Sequence, residues 1–137
     1  MLLLDTNVVS ELRKASKANP HVRRWAARIA PTELYLSVIS VLELEIGVLR
    51  VERRDPSQGA NLRSWFEKRV LPAFEDRIIP VDTVVARRCA RLHVPDPHSD
   101  RDALIAATAL IHGMTVVTRN TAHFEKTGAP LLNPWEA

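Results

Sequence analysis

Apolar residues along this chain follow two periods. Short continuous or alternating apolar runs predict five strands, at residues 2–5, 34–38, 77–81, 114–117 and 130–132. Between these runs, apolar residues recur every three or four positions, which predicts helices starting near Asn7, Asn19, Ser40, Asn61, Asp82 and Ser99. Because helices and strands alternate without internal repeats, the pattern predicts an α/β fold, a three-layer sandwich with a central parallel sheet.

Single residues refine the element boundaries. Asn19-Pro20 matches a helix cap followed by proline at the first helical position, and Gly113 suits the left-handed residue after a helix. The helix between Ser99 and Gly113 is so apolar that we expect it to be central. The charged segment 50–59, which contains Pro56 and Gly59, predicts a surface connection.

Length and composition indicate one domain. With 137 residues, 46% of them hydrophobic, we expect a single domain spanning 1–137. No stretch approaches the ~20 apolar residues that a membrane helix needs, and no basic region precedes the short first apolar run. We therefore expect a soluble, cytoplasmic protein without membrane contact. The one cysteine, Cys89, cannot form an internal disulfide and is expected to be buried in a helix.

The charge pattern favours a polyanionic partner. The net charge is +3, and 15 of the 19 basic residues are arginine, which binds phosphate in a bidentate manner. If three acids belong to a metal-neutralised site, 13 acids remain against 19 basic residues, a net charge of +6. This excess is consistent with nucleic acid, although solvated basic surfaces are also common.

Three acids occupy comparable positions in the predicted elements. Asp5 directly follows the first strand, whereas Glu43 and Asp102 each lie three residues after a serine at the predicted start of an apolar helix. In a parallel sheet the carboxyl ends of strands and the starts of the following helices meet at one edge. The three carboxylates, with Thr118 and Asn120 after the fourth strand, are therefore expected to share one crevice.

Clustered carboxylates indicate a metal site. Without a counter-charge they repel each other, which raises at least one pKa, and a hard cation removes that cost. Oxygen ligands without histidine or cysteine favour Mg²⁺ or Mn²⁺ over Zn²⁺. The predicted helix starts at Ser40 and Ser99 add backbone N–H groups suited to phosphate. These features together predict metal-dependent phosphodiester cleavage.

A purely structural explanation exists for two of the acids. Ser-x-x-Glu and Ser-x-x-Asp are ordinary helix-capping patterns, so Glu43 and Asp102 taken singly need no function. Asp5 is harder to explain this way, because a charge after a buried strand needs a partner. Glu45 and Asp100 are second choices that should point elsewhere, and the five histidines show no reliable zinc spacing.

Four segments in order resemble the PIN-domain ribonucleases. They are Leu-Leu-Asp5-Thr6-Asn7-Val, Ser37-Val-Ile-Ser40-Val-Leu-Glu43-Leu-Glu-Ile-Gly47, Asp102-Ala-Leu-Ile-Ala-Ala-Thr-Ala109 and Val116-Val-Thr118-Arg-Asn120-Thr-Ala-His-Phe124. The closest likeness is to the VapC toxins of toxin–antitoxin pairs, particularly the FitB-like branch, which the ending Asn133-Pro134-Trp135 also matches. The resemblance implies a PIN fold and a Mg²⁺- or Mn²⁺-dependent endoribonuclease that cuts transfer RNA or another structured RNA. It also implies a cognate VapB-like antitoxin, a homodimer and a hetero-oligomer with the antitoxin.

The resemblance also implies roles for individual residues. Asp5, Glu43 and Asp102 match the three acidic metal ligands of the family, and they form its catalytic set together with Asn120. Many relatives carry a fourth acid near Asn120, so the amide here puts occupancy by two metal ions in doubt. Thr6 and Thr118 resemble hydroxyl groups that orient carboxylates or substrate. The helices bearing Trp25 and Trp65 are candidates for an antitoxin-binding groove.

Three alternatives remain at the level of sequence. A phospho-acceptor receiver domain is also small and acidic at one sheet edge, but it would need paired acids after the first strand and a lysine near the last, where this chain has Thr6 and Arg119. A non-catalytic PIN-like module that binds RNA or protein is disfavoured by the intact acid triad. A metal-dependent DNA nuclease is the nearest competitor, since no residue visibly recognises the 2′-hydroxyl.

Overall fold

The computed structural model describes residues 1–137 and contains five strands and seven helices. The strands are β1 (Leu2–Leu4), β2 (Leu34–Ser37), β3 (Ile78–Ile79), β4 (Thr115–Val117) and β5 (Leu131–Leu132). The helices are α1 (Thr6–Leu12), α2 (Pro20–Ala27), α3 (Val38–Arg54), α4 (Pro56–Trp65), α5 (Leu71–Ala73), α6 (Thr83–Leu92) and α7 (Asp100–His112). A π-helical turn, Phe66–Val70, joins α4 to α5, and short 3₁₀ turns lie at Ala15–Lys17, Pro31–Glu33, Thr121–His123 and Glu125–Thr127. The predicted α/β fold is confirmed.

All five strands are parallel, and β1 lies at the centre of the sheet. Their order is β3-β2-β1-β4-β5, so Leu3 of β1 pairs with Tyr35 of β2 on one side and with Val116 of β4 on the other. From β1 the chain adds β2 and β3 on one side of the sheet, and it then crosses back to add β4 and β5 on the other side. In open α/β sheets, ligands bind in the crevice where the strand order reverses, which here lies between β1 and β4.

Helices cover both faces of the sheet, and neighbouring strand residues face opposite layers. Leu3 and Val116 belong to the core beneath α6 and α7, whereas Leu4 and Val117 belong to the core beneath α1 to α4. Most of α7 between Ala103 and Ala109 is fully buried, so the prediction of a central helix is confirmed. No helix combines the length and hydropathy needed to span a membrane.

Two further boundary predictions are confirmed. Asn19 caps α2 through its side chain, which accepts a hydrogen bond from the backbone N–H of His21 at 2.9 Å, and Pro20 is the first helical residue. Gly113 ends α7 in the left-handed conformation with a φ of 65°. Cys89 is buried in α6, with an exposed fraction of 7%.

The prediction of a surface connection over residues 50–59 is wrong. Only Asp55 separates α3 from α4; it is extended, as a residue before proline prefers, and its side chain caps α4 at Gln58. Gly59 lies inside α4 rather than in a turn. A Cβ at Gly59 would lie 2.4 Å from the Cα of Glu52, so glycine is needed here because the two helices approach closely.

The prediction that Ser40 begins the third helix is also wrong. Helix α3 starts at Val38, and Ser37 caps it by accepting a hydrogen bond from the N–H of Ile39 at 3.0 Å. Ser40 is fully buried, and its hydroxyl donates to the carbonyl of Leu4 at 3.4 Å. The expected phosphate-binding helix terminus at Ser40 is therefore absent. Ser99 does occupy the cap position of α7, but its side chain makes no capping hydrogen bond.

Candidate active site at the carboxyl edge of the sheet

A polar cleft of about 460 Å³ opens where β1 and β4 end. The structure brings Asp5, Thr6, Glu43, Asp102 and Asn120 together along its wall, although they come from four separate parts of the chain. The sixth predicted site residue, Thr118, is fully buried directly behind Asp5.

Asp5 lies at the base of the cleft, with an exposed fraction of only 6%. As the cap of α1 it accepts a hydrogen bond from the N–H of Thr6 through Oδ1 at 2.8 Å. Its Oδ2 accepts from the hydroxyl of Thr118 at 2.8 Å and from the amide of Asn7 at 3.3 Å. Burial raises the pKa of Asp5; the bonds from Thr118 and Thr6 oppose that shift, and the nearby charges of Glu43 and Asp102 add to it.

Glu43 lies in the second turn of α3 and is tied to Asp5 through one residue. The hydroxyl of Thr6 donates to Oε1 of Glu43 at 2.8 Å, while the backbone N–H of Thr6 donates to Asp5. Arg101 lies 3.7 Å from Oε2 of Glu43. Because α3 starts three residues earlier than predicted, the capping explanation for Glu43 does not apply.

Asp102 lies in the first turn of α7. Burial raises the pKa of Asp102; His123, 3.7 Å away, lowers it, and the charge of Glu43 raises it further. Two of the three acids are thus costly to ionise in the folded protein. The helix dipole alone would have lowered the pKa of an acid at this position, so the burial and the neighbouring charge outweigh it.

Thr118 and Asn120 extend the site from the end of β4. The Thr118 hydroxyl donates to Asp5 and accepts from the amide of Asn7 at 3.3 Å and from the N–H of Asn120 at 3.0 Å. Asn120 is exposed and lines the cleft. One buried hydroxyl therefore fixes the orientation of Asp5 and the turn that presents Asn120.

The three carboxylates of the cleft suit a hard divalent cation. No three acidic, histidine or cysteine side chains converge closely enough to form a ready-made metal cage, and each carboxylate is held by protein donors. Asp5 makes no ion pair. The atoms that the three acids could offer to a cation are carboxylate oxygens, which fits Mg²⁺ or Mn²⁺.

The alternative acids point elsewhere. Glu45 forms an ion pair with Arg63 at 2.6 Å on the far side of α3. The side chain of Asp100 is 93% exposed and lies 3.6 Å from His93. Neither residue lines the cleft.

Sequence reasoning missed part of the cleft wall. Ser10 and Glu11 project from α1, and Lys14 lies in the turn directly after it; their spacing from Asn7 at three, four and seven positions is a signal that could have placed them on one helical face. Glu11 accepts hydrogen bonds from the N–H of Asn19 and from Lys14, which lower its pKa. The remaining missed wall residues are Arg119 and Trp135.

Comparison with known proteins places these features in a family. The PIN domain family matches residues 2–130. Plasmid stability protein StbB of Pseudomonas syringae pv. tomato is 40% identical, with 100% of both chains covered. VapC ribonuclease Y4jK of Sinorhizobium fredii is 39% identical over 99% of both chains, and toxin FitB of Neisseria gonorrhoeae is 36% identical over 98% of this chain and 99% of its own.

Solved structures agree with the sequence relatives. The crystal structure of FitAcB from Neisseria gonorrhoeae has a TM-score of 0.91 at 34% identity and covers 100% of both chains. The structure of FitAB bound to a DNA fragment has a TM-score of 0.89 at 35% identity, covering 98% of this chain and 96% of that one. The sheet order, the cleft at its switch point and the near-complete match in length all lead to one conclusion: this chain belongs to the PIN-domain family, among the relatives of the VapC and FitB toxins.

Proposed function

We propose that this protein is a Mg²⁺- or Mn²⁺-dependent endoribonuclease and the toxin of a toxin–antitoxin pair. Transfer RNA or another structured RNA is the proposed substrate class. The observation that carries the proposal is the burial of Asp5 beside Glu43 and Asp102 in one polar cleft, where burial and neighbouring negative charge raise its pKa. The names of the relatives, VapC ribonuclease and toxin FitB, support the same function.

In this proposal Asp5, Glu43 and Asp102 hold the cation. A bound divalent cation supplies a water of lowered pKa and stabilises negative charge on the leaving oxygen during phosphodiester hydrolysis. Thr118 and Thr6 hold Asp5 and Glu43 in fixed orientations through their hydrogen bonds.

Positive charge along the same cleft suits a polyanionic substrate. Lys14 and Arg119 line the wall beside the carboxylates, where they can contact phosphate groups next to the scissile one. Asn120, exposed in the cleft, offers an amide donor to a phosphate or a water without adding a fourth negative charge.

We also propose that a cognate VapB-like antitoxin neutralises the protein and that the toxin forms a homodimer and a hetero-oligomer with it. An apolar groove of about 170 Å³ between α1 and the α4–α5 region supports the antitoxin partner, since Leu12, Trp65 and Phe74 line it and Arg13 and Arg69 flank it. The side chain of Trp25 is only 5% exposed and packs in the core, so in this groove the exposed ring is that of Trp65 and not that of Trp25.

The experiment that tests the nuclease function incubates antitoxin-free protein with a pool of transfer RNAs and other small structured RNAs. Parallel reactions contain Mg²⁺, Mn²⁺ or EDTA, and a DNA of the same sequence as one of the RNAs is included. Discrete RNA fragments that disappear with EDTA are expected. Asp102→Asn should abolish cleavage, whereas Asp100→Asn should not, because Asp100 lies on the same helix turn but outside the cleft.

Each other outcome supports an alternative. Cleavage of DNA but not RNA would favour a metal-dependent DNA nuclease. RNA that stays intact under every condition but still binds the protein would favour a non-catalytic module. Equal cleavage by Asp102→Asn and Asp100→Asn would refute the assignment of the carboxylates.

A further inference from the structure

Trp135 is the single hydrophobic residue among the eleven that line the carboxylate cleft. Its side chain is partly buried: it packs against the core beneath α1 to α4 and also contributes to the cleft wall. The backbone N–H of Trp135 donates to Oδ1 of Asn133 at 2.9 Å, which fixes the turn that presents the indole. An aromatic ring held in this way is a rigid surface in an otherwise polar site.

Arg119 lies over this ring. Its guanidinium carbon is 5.4 Å from the centroid of the Trp135 indole, within the range of a cation–π contact. Arg119 is exposed, forms no salt bridge and follows Thr118, whose hydroxyl binds Asp5. The side chain of Asn133 also ties the two segments together, since its amide Nδ2 donates to the backbone carbonyl of Arg119 at 3.5 Å. The pair therefore lies on the same cleft wall as the proposed metal ligands.

We propose that Arg119 and Trp135 form a nucleobase-binding subsite, on which a base next to the scissile phosphodiester stacks. This inference rests on the proposed nuclease function and adds a contact to the base. Unpaired RNA bases stack on aromatic rings and on guanidinium planes, and this pair offers both surfaces in one place. The subsite takes a base presented in a single-stranded loop or end, because a base within a duplex already has both faces stacked.

A second pair on the molecule shows why position matters. Arg13 lies 5.7 Å from the centroid of Trp65 in a similar cation–π contact. That pair lines the apolar groove and a neighbouring cavity that also reaches Thr6 and Glu43, but it does not line the cleft that contains both Asp5 and Asp102. If any exposed arginine–tryptophan pair bound bases, the two would be equivalent. The subsite proposal assigns base binding to the pair beside the carboxylates.

The test compares two fluorescent probes of equal length and charge, a single-stranded eight-nucleotide RNA of mixed sequence and a stable abasic ribose-phosphate analogue. Binding is followed by fluorescence anisotropy in EDTA, so that no cleavage occurs. The wild-type protein should prefer the base-containing probe by about 10-fold, the effect of one stacked base. Trp135→Leu and Arg119→Gln should lose most of that preference, and Trp135→Phe should retain it.

Matched variants separate stacking from charge and from folding. Arg87→Gln, which removes an exposed arginine on α6 outside the cleft, should weaken the binding of both probes equally and keep the preference for bases. Unchanged affinity of Trp135→Leu for the abasic probe shows that this variant is folded. If it is not folded, the exposed Arg119→Gln decides the result.

The outcomes for the subsite and for the nuclease are distinguishable. A wild-type protein without preference for bases, or a preference unaffected at Trp135 and Arg119, overturns the subsite even if RNA is cleaved with Mn²⁺. A preference that depends on this pair, in a protein that cleaves no RNA with either metal, supports the subsite and refutes the nuclease. If the protein both prefers bases through this pair and cleaves RNA, Trp135→Leu should raise KM about 10-fold with a smaller change in kcat.

Discussion

Replacing Thr118 by valine removes one hydroxyl without changing the shape of the side chain. This hydroxyl is fully buried and donates to Asp5 at 2.8 Å, and it accepts from the N–H of Asn120 at 3.0 Å. A hydrogen bond to a charged partner contributes about 1.5–3 kcal/mol, and stranding a donor adds to the loss. We expect Thr118→Val to lower the free energy of unfolding by about 2–3 kcal/mol at neutral pH.

The loss should depend on pH through Asp5. Burial raises the pKa of Asp5 in the folded protein above its usual value of 3.8, so the folded state binds this proton more tightly and the ionised form costs stability at higher pH. The Thr118 bond stabilises the ionised form and offsets part of that cost. The effect of Thr118→Val should therefore be smallest near pH 4 and should grow as the pH rises through the raised pKa of Asp5.

Urea unfolding in EDTA at pH 4 and pH 7 measures both the loss of unfolding free energy and its dependence on pH. With typical urea dependences, a loss of 2 kcal/mol lowers the unfolding midpoint by about 1 M. Thr118→Ser is the control, because it keeps the hydroxyl and loses only a methyl group, at a cost of about 1 kcal/mol that should not change with pH. A valine variant as stable as wild type at pH 7, or one whose loss equals that of serine at both pH values, would refute the proposed support of Asp5.

The remaining predictions concern the metal site and the α3–α4 contact. Asp5→Asn should abolish cleavage yet melt at an equal or higher temperature than wild type in EDTA, because it removes a buried charge; a clear drop in melting temperature would contradict this. Millimolar Mn²⁺ should raise the melting temperature of wild type but not of Asp102→Asn, as differential scanning fluorimetry can show. Gly59→Ala should cost about 1–3 kcal/mol, because its Cβ would lie 2.4 Å from the Cα of Glu52, whereas Gly47→Ala, with no atom within 4 Å, should stabilise by about 0.5–1 kcal/mol. Equal urea midpoints for the two alanine variants would contradict the close approach of the helices.

Sequence periodicity could predict the sheet and the meeting of the acids, because both depend on local patterns. A short apolar run followed by Asp5 is typical of a buried strand, and the rules for parallel sheets bring the residue after the strand and Asp102 to the same edge. The same rule places Thr118 at this edge, since it follows β4 as Asp5 follows β1. The positions of these residues follow from connectivity rather than from side-chain packing.

The errors arose where packing between elements decides the structure. Ser37 and Ser40 are equally good caps in sequence, and the pairing of Ser37 with Ile79 at the end of β2 decides between them. Glycine is common in turns, so the sequence suggests a turn at Gly59. Only the contact with Glu52 shows that this glycine instead allows α3 and α4 to pack closely. Trp135 could be recognised as part of a motif, yet its place on the cleft wall depends on the path of residues 120–134.

The bond between Thr118 and Asp5 joins residues 113 positions apart, and it forms only when β4 takes its place beside β1. During synthesis, Asp5 leaves the ribosome well before Asp102 and Thr118, so it lacks both its neighbouring carboxylate and its supporting hydroxyl until β4 has emerged. Contacts between residues so distant in sequence are slow to form, because closing a long loop costs entropy. A nascent chain that has not yet reached β4 therefore lacks a finished cleft, and the proposed activity requires β1 and β4 to be paired.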